Sequence, residues 1–394
     1  MTLLFVNLYT EMGGGEYAIY NLVKGIDRSR FRPMMAFNRM GPFVEEVEKA
    51  GIETVILPFP SVMLKKLVVP SVFLDVLRAS KVLKQYVRDQ SIDCLHCVDV
   101  LSLVLFARTI LSLRIPVTYN VIFFYEWTRI VLFNILAIVL VKKIVANSQA
   151  IKNDLLQRTV FLSGKTQAIY YGIDVERFRP AMDGEANVLR REINLPASTK
   201  LVGMVARYDV WKGHAIFLEA AASVLKKRND VKFVIVGGLL NAEIIMPLQE
   251  YYDSVMAKRR ALKLENDVVI IPHRVDIPQV LRGLDVFVCP SKREPIPLIV
   301  FEAMASGVPV VAADSGGIPE QICHGTDGLL FRTDDAESLE CAILQTLDDP
   351  EGNRTRTRSA RKKIEGQFTV ARFVREMEQM YEGVLHPTLR AAYV

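Results

Sequence analysis

Short apolar runs alternate along the chain with longer segments whose apolar residues recur at helical spacing. Many of these runs are rich in Val and Ile and apolar on both faces, as in a parallel sheet covered by helices. The repeated order predicts a doubly wound α/β domain in the first half of the chain. Its predicted strands are 3–7, 34–37, 54–57, 92–96, 116–121 and 144–147, and its predicted helices 16–26, 43–50, 72–88, 100–113, 128–141 and 149–157.

The alternation begins again after Pro180. Turn-forming stretches at 183–185 and 195–197 precede the first strand of this second series. The pattern therefore predicts two α/β domains in tandem, residues 1–180 and 181–368, facing each other across a cleft. Ligands of open α/β sheets bind at the carboxyl ends of the strands, so we expect the functional groups there. The second set comprises strands at 201–206, 232–236, 268–271, 286–289 and 308–312, helices at 213–227, 243–264, 278–282, 298–305 and 336–347, and a terminal helix at 369–384.

The net charge and the cysteines limit the kinds of partner and the cellular setting that we expect for this protein. The 394 residues carry a net charge of +5, too mild for the basic footprint of a nucleic-acid binder. The excess lies in residues 60–145, with 11 Lys and Arg against 5 Asp and Glu. The 5 cysteines are irregularly spaced and no leader pattern precedes the first strand, which favours a reducing, cytoplasmic setting.

The longest apolar run, 130–141, allows two interpretations. Its ~12 helical residues would span roughly 18 Å, short of the ~30 Å hydrocarbon core of a bilayer. A buried helix is one interpretation. The other is a peripheral membrane contact, since Trp127, Arg129 and Lys142-Lys143 flank the run and 65–69 is also basic and apolar. A lipid-linked acceptor would then be expected.

Two glycine-rich turns follow predicted strands and precede predicted helices. Gly13, Gly14 and Gly15 follow the first strand, and Gly316-Gly317 follows the strand at 308–312. Glycine lets the backbone approach a ligand, and a helix N-terminus offers free N–H groups, so both turns are candidate phosphate sites. A ligand-free tight turn remains the alternative for the first.

The loop after strand 201–206 carries the strongest candidate. Arg207 ends that strand, and Lys212 stands immediately before the next helix. Two cations on one strand–helix loop can neutralise a diphosphate, the Arg through two donors and the Lys as a point charge. An exposed pair of surface cations is the alternative.

Two carboxylates follow a later strand. Glu294 lies in the loop after strand 286–289, and Glu302 lies within the next apolar helix. Each can accept hydrogen bonds from hydroxyl groups, as on a sugar and a ribose. A carboxylate inside an apolar helix needs a partner or ligand, whereas Glu294 could also be a surface charge.

Other polar groups are interpreted as structural. Cys94-Leu95-His96-Cys97 belongs to a buried strand, and no second ligand pair suggests a metal. His214 and His324 are interpreted as structural or exposed. The basic run 354–363 is interpreted as a solvated helix face.

Taken together, these motifs resemble the retaining glycosyltransferases of family 4, which have the GT-B fold. The resemblance rests on Arg207 with Lys212-Gly213, the Glu-x7-Glu pair at 294 and 302, Gly316-Gly317, the Gly-rich turn at 13–15, and 172–180. It implies transfer of a hexose-type sugar from a UDP- or GDP-linked donor with retention, and no metal or other cofactor.

The resemblance also implies roles for individual residues. Glu294, Arg207 and Lys212 would be catalytic, the cations holding the diphosphate and Glu294 the donor sugar. Glu302 would hold the ribose. The donor would further contact Gly14, Gly15, Arg274, Val275, Ile296, Leu298, Ile299, Gly316 and Gly317. The C-terminal helix, within 369–394, would pack back on the first domain.

Three departures from the family pattern concern the donor and acceptor sides. Ile122 stands where the family usually has a His, and Tyr119, Asn120, Tyr125 or Glu126 would have to substitute for it. Pro295 and Pro297 remove two backbone donors from a loop that is often Gly-x-Gly, and Tyr171 replaces a common Asn.

Three functional hypotheses follow. The first is a glycosyltransferase acting on a lipid-linked or polysaccharide acceptor in cell-envelope glycan synthesis. The second is a catalytically silent nucleotide-sugar-binding subunit, motivated by Ile122. The third is a nucleotide-sugar epimerase, for which no matching acid/base set is found.

Overall fold

The computed structural model describes residues 1–57, 70–125, 127–182, 185, 187–239 and 248–386, with backbone only for 70–77, 127–129 and 187. The chain divides into two compact units, Met1–Gly172 with Val370–Val394, and Ile173–Thr369. Each contains one parallel sheet covered by helices, so the predicted α/β fold with two Rossmann-like units is confirmed.

The first unit holds a sheet of seven parallel strands within the described residues, in the order β3-β2-β1-β4-β5-β6-β7. Most strand residues are buried on both faces, because helices cover both sides of the sheet. The strands are β1 (Thr2–Val6), β2 (Arg32–Phe37), β3 (Glu53–Ile56), β4 (Cys94–Cys97), β5 (Val117–Val121), β6 (Lys143–Ala146) and β7 (Thr166–Ala168).

The helices of the first unit begin where capping groups favour it. Asp99 accepts a hydrogen bond from the Ser102 N–H, and Ser148 accepts one from the Ile151 N–H. The helices are α1 (Gly14–Gly25), α2 (Pro42–Lys49), α3 (Pro70–Asp89), α4 (Val100–Leu113), α5 (Trp127–Leu140), α6 (Gln149–Arg158) and the C-terminal α15 (Val370–Leu385). A 3-10 turn at Val160–Lys165 precedes β7.

The C-terminal helix α15 is part of the first unit and packs against α1. Its Tyr381 is fully buried, with its ring edge-on to Phe5 and its hydroxyl 3.0 Å from His96 Nδ1. Burial of this large aromatic side chain ties the end of the chain to the core around β1 and β4.

The second unit holds a parallel sheet of six strands among the described residues, in the order β10-β9-β8-β11-β12-β13. Its strands are β8 (Lys200–Val205), β9 (Val231–Val236), β10 (Val268–Ile271), β11 (Val286–Cys289), β12 (Val310–Ala313) and β13 (Leu329–Phe331). Its helices are α7 (Asn187–Glu192), α8 (His214–Lys227), α9 (Leu248–Ala261), α10 (Ile277–Arg282), α11 (Leu298–Ala305), α12 (Ile318–Gln321), α13 (Ala336–Asp348) and α14 (Pro350–Gln367).

The division between the units falls at Gly172, before the predicted boundary at Pro180. The cause is a set of hydrogen bonds formed by Arg361 on α14. Its guanidinium donates to the carbonyls of Val175 at 3.0 Å, Phe178 at 2.5 Å and Ala305 at 2.7 Å, which joins 173–180 to the second unit.

The same contacts correct part of the interpretation of 354–363 as a solvated face, since Arg354, Arg358 and Lys362 are exposed as predicted. Arg361 and Lys363 are largely covered, and Lys363 donates to the Gln321 carbonyl at 2.7 Å and pairs with Asp327 at 3.0 Å. Short elements were also missed, namely β7, β13, α7 and α12, because three to six residues carry too little periodicity to detect. In the part of the chain that the structure describes, no helix is both long and apolar enough to cross a membrane.

Candidate functional site

In the second sheet, the order in which the chain adds strands reverses between β8 and β11. The strands before β8 in the sheet order come from one crossover series, and β11 begins the other. Such a switch point leaves a crevice outside the carboxyl ends of the two strands, where α/β proteins bind ligands. Arg207 follows β8, and Glu294 follows β11, so the predicted cation and carboxylate reach the same crevice.

Lys212 and Glu294 form an ion pair in this crevice. Glu294 is only 8% exposed, so its charge depends on a partner. The pair joins residues far apart in sequence. Lys212, a predicted phosphate-binding cation, donates a hydrogen bond to Glu294, the predicted sugar-binding carboxylate.

Gly213 makes this pairing possible. It has a φ of 76°, and a β-carbon at this position would collide with the Pro290 carbonyl oxygen. Only glycine fits this left-handed position against the backbone after β11. Lys212, the preceding residue, is thereby held against the loop that carries Glu294.

Arg207 is oriented by a neighbouring carboxylate. Its Nη2 lies 3.0 Å from Oδ2 of the buried Asp209, whose other oxygen accepts a hydrogen bond from the Trp211 N–H at 3.2 Å. Among the described residues, Arg207 Nε has no hydrogen-bond partner although it is buried. A buried, unpaired guanidinium donor is costly in a native protein, and an anion would satisfy it. The sequence analysis missed Asp209, although an acidic residue two positions after the Arg was a usable signal.

The second glycine-rich turn contacts the same loop. Gly316 has a φ of 56°, and a β-carbon there would collide with the Glu294 carbonyl oxygen. The Gly317 N–H donates to that oxygen at 2.9 Å. This N–H therefore holds the loop in place, and a role in a phosphate nest would require the bond to open.

Helix α11 presents its N-terminus after the two prolines. Ile296 is buried, while Leu298 and Ile299 are the first residues of the helix, whose N–H groups have no carbonyl partner within it. Glu302 lies one turn further on. Burial raises its pKa to about 7, and the nearby Arg177 charge offsets part of that rise.

The loop after β10 carries Arg274 and Val275. The Arg274 side chain is committed to ion pairs with Asp276 and Glu192, which leaves its backbone for any ligand contact. Val275 is exposed, and its carbonyl accepts a hydrogen bond from Arg177 Nη2 at 3.4 Å. Arg177 thus lies near both Val275 and Glu302, a position that the sequence analysis did not identify.

His214 and His324 were predicted to be structural or exposed, and the structure places His214 in the core and His324 at the surface. His214 is buried and stacks on Tyr208, and burial together with the Lys212 charge lowers its pKa to about 3. His324 accepts a hydrogen bond from the Leu330 N–H at 2.9 Å. Cys94, His96 and Cys97 lie in the buried strand β4, also as predicted.

In the first unit, Gly14 and Gly15 form the N-terminus of α1. A β-carbon on Gly15 would lie 3.5 Å from Ile122 Cδ1, so Ile122 is next to this turn. Their contact with a phosphate stays a prediction, as do the substrate roles of the other site residues.

The residues proposed to substitute for the missing His differ in burial and in hydrogen bonding. Tyr119 is buried in the core with its hydroxyl 2.6 Å from that of Tyr125, so it is unsuited to contact a substrate. Asn120 is buried, and within the described residues its Oδ1 has no hydrogen-bond partner. Glu126 lies outside the described residues.

Two family models match the chain consecutively. Residues 12–177 match the model described as Glycosyltransferase Family 4, and residues 186–363 match the one described as Glycosyl transferases group 1. The chain belongs to glycosyltransferase family 4. The predicted family membership is therefore confirmed over nearly all of its length.

Curated relatives of this family-4 protein are similar over part of their length. D-inositol 3-phosphate glycosyltransferase of Corynebacterium kroppenstedtii is 29% identical over 62% of this chain and 53% of its own. The mannosyltransferase LpsB of lipopolysaccharide core biosynthesis in Rhizobium meliloti is 26% identical over 58% and 66%. The matches thus span between half and two thirds of these relatives.

Solved structures share the fold. HepE of Anabaena in complex with UDP-glucose has a TM-score of 0.84 at 24% identity, over 97% of this chain and 100% of its own. Sucrose-phosphate synthase of Thermosynechococcus elongatus has a TM-score of 0.82 at 19% identity, over 98% and 100%. These glycosyltransferase neighbours confirm the predicted GT-B fold.

Proposed function

We propose that this protein is a retaining glycosyltransferase that moves a hexose from a UDP- or GDP-linked donor to a lipid-linked or polysaccharide acceptor. The observation that carries the proposal is the cluster of Arg207, Lys212 and Glu294 at the switch point of the second sheet. Family membership supports the reaction class, and relatives named for lipopolysaccharide core synthesis support a role in cell-envelope glycans.

The chemistry proposed for this cluster is departure of the nucleoside diphosphate. As the bond from the anomeric carbon to the diphosphate oxygen breaks, its electron pair moves to the phosphate, while the acceptor hydroxyl oxygen bonds to the anomeric carbon and its proton passes to the departing diphosphate. Arg207 and Lys212 place fixed positive charge where that negative charge develops, so the reaction needs no metal. Arg207 Nε, buried and without a partner among the described residues, is suited to bind the phosphate.

Glu294 has two states in this proposal. Without donor it neutralises Lys212, and with donor it accepts hydrogen bonds from the sugar hydroxyls while Lys212 binds phosphate. The sugar hydroxyls then replace Lys212 as hydrogen-bond partners of the buried carboxylate, so it stays satisfied in both states. Glu302 accepts hydrogen bonds from the ribose hydroxyls, and the backbone of 274–275 borders the base.

Replacement of the Glu294 and Lys212 side chains by Ala tests the catalytic roles proposed for them. Glu294→Ala and Lys212→Ala should each abolish sugar transfer while circular dichroism shows an intact fold. Normal turnover in both variants would refute the proposal. The nucleotide is identified by thermal shift with UDP, GDP and their sugar conjugates, because a ligand bound only to the native state raises the melting temperature.

The acceptor side is proposed to contact a membrane peripherally, which fits a lipid-linked acceptor. The exposed apolar residues of α5 support this part of the proposal. A relative from Escherichia coli, named as a UDP-Gal:alpha-D-GlcNAc-diphosphoundecaprenol alpha-1,3-galactosyltransferase, is 28% identical over 55% of this chain and 54% of its own.

A catalytically silent binding subunit is the second candidate. Ile122 favours it, because an aliphatic side chain beside Gly15 can neither accept a proton nor hydrogen-bond a hydroxyl. Calorimetry with nucleotide-sugars and a donor-hydrolysis assay separate the two candidates. Binding with neither hydrolysis nor transfer, across a broad set of acceptors, would favour the silent subunit.

A further inference from the structure

Helix α5 has an apolar face that the described residues leave exposed. Its buried side chains, Ile130, Phe133, Ala137 and Leu140, pack into the core of the first unit. On the opposite side of the same helix, Val131, Ile135, Ile138 and Val139 are exposed, Val139 by 64%. A helix that is apolar on both sides either contacts a partner or lies in an apolar medium.

The 3-10 turn that follows α6 extends this face. Lys165, at the end of the turn, donates to the carbonyls of Ala137 at 3.4 Å and Ile138 at 2.7 Å, which fastens the turn to the C-terminal end of α5. Leu162 is buried, whereas Val160 and Phe161 are exposed, Phe161 by 86%. We define the α5 surface as Val131, Ile135, Ile138, Val139, Val160 and Phe161.

Positive charge borders this surface. Lys142 is exposed two residues after the end of α5. Burial and the nearby Lys142 charge lower the pKa of Lys165, as expected for cations close together. The sequence from 127 to 153 contains no Asp or Glu, and the next carboxylate, Asp154, pairs with Arg158 at 2.9 Å. An apolar strip with a basic border complements an anionic lipid surface.

We propose that the α5 surface inserts into the interface of an anionic bilayer, with Phe161 entering the acyl boundary and Lys142 contacting lipid phosphates. The inference deepens the proposed peripheral contact and rests on it, but it does not depend on the chemistry proposed for the second unit. The segment 65–69, also predicted to touch the membrane, lies outside the described residues.

Cosedimentation with vesicles tests the apolar part. The full chain is mixed with vesicles of phosphatidylcholine alone and of phosphatidylcholine with phosphatidylglycerol, and binding should require the anionic lipid. Phe161→Asp and Val139→Asp should each lower the partition coefficient by about tenfold or more, since a charge replaces an inserted apolar side chain. Val82→Asp, at an exposed Val of α3, is the matched control and should bind normally.

Two variants that each remove one positive charge test the electrostatic part of the membrane contact. Lys142→Gln should weaken binding to anionic vesicles by about fivefold at low salt. Lys226→Gln, at an exposed Lys of α8 in the second unit, should have no effect.

Several outcomes would overturn the inference. The first is that the protein binds neither type of vesicle, and the second is that Val82→Asp and Val139→Asp lose vesicle binding equally. The third is that the protein forms a dimer without lipid and that Phe161→Asp dissociates it, which would assign the surface to a second copy. Binding of UDP by calorimetry separates this failure from that of the proposed function, because the α5 surface variants should keep it and Lys212→Ala should keep vesicle binding.

Discussion

The ion pair between Lys212 and Glu294 makes a sharp prediction, because its two members should respond differently to neutral substitution. Lys212→Met removes the cation from a carboxylate that is 8% exposed. Glu294→Gln instead leaves a lysine whose side chain is 20% exposed and can reach water. The first variant should therefore lose more stability than the second.

The expected magnitudes follow from burial. Breaking a fully buried ion pair from one side costs about 3–5 kcal/mol, and the partial exposure of this pair reduces the expected loss for Lys212→Met to about 2 kcal/mol. Glu294→Gln keeps a polar side chain in place and should cost about 1 kcal/mol. Lys232→Met is the control, since Lys232 and Asp267 form a 2.6 Å pair with both side chains 34% exposed. It should cost less than about 1 kcal/mol.

Nucleotide binding should separate the two variants further. A charge-assisted hydrogen bond contributes about 1.5–3 kcal/mol, so Lys212→Met should weaken UDP binding about 10- to 100-fold. Glu294→Gln frees Lys212 from its partner and should bind UDP at least as tightly as the wild type, while transfer and donor hydrolysis fall. Calorimetry with UDP and a hydrolysis assay measure the two effects. An equal loss of UDP affinity in both variants would refute the reasoning, because the pair would then only support the loop.

Three further predictions test other parts of the molecule. Gly316→Ala should lose about 2 kcal/mol or more of stability by thermal melting, because the residue would need a positive φ and displace the Glu294 carbonyl; an unchanged melting temperature would contradict the loop geometry. Since burial raises the pKa of Glu302 to about 7, UDP affinity should increase as the pH rises through that value, and Glu302→Gln should abolish the change; a wild-type profile in the variant would exclude Glu302 as its source. Burial lowers the pKa of His96 to about 3, so the unfolded chain binds a proton below about 6.5 that the native state does not. His96 should therefore contribute a loss of stability of up to about 1.4 kcal/mol per pH unit below that point, and His96→Asn should reduce the slope in urea titrations by that amount.

The functional loops are among the features that local sequence could identify. Arg207, Lys212, Glu294 and the Gly316 turn each lie in a loop that follows a strand, and the carboxyl ends of parallel strands share one edge of a sheet. Their positions at one edge of the second sheet were therefore predictable before any contact was known.

The contacts themselves were not predictable from local sequence. The Lys212 partner lies 82 positions away, and its identity depends on β8 and β11 being neighbours in the sheet. Arg361 looked like a solvent-exposed cation, since a basic run has the same appearance whether its side chains reach water or buried carbonyls. Likewise, an apolar run such as α5 could not reveal that one of its faces stays uncovered.

The sequence by itself determined the two α/β repeats, the order of most strands and helices, and the residue types available for binding. It did so because hydrophobic period and turn chemistry are local properties that survive in the unfolded chain. Tertiary structure alone decided which charges meet, where the first unit ends, and which apolar faces remain exposed. Those features depend on packing between elements distant in sequence, and no local pattern encodes the neighbour that an element will acquire.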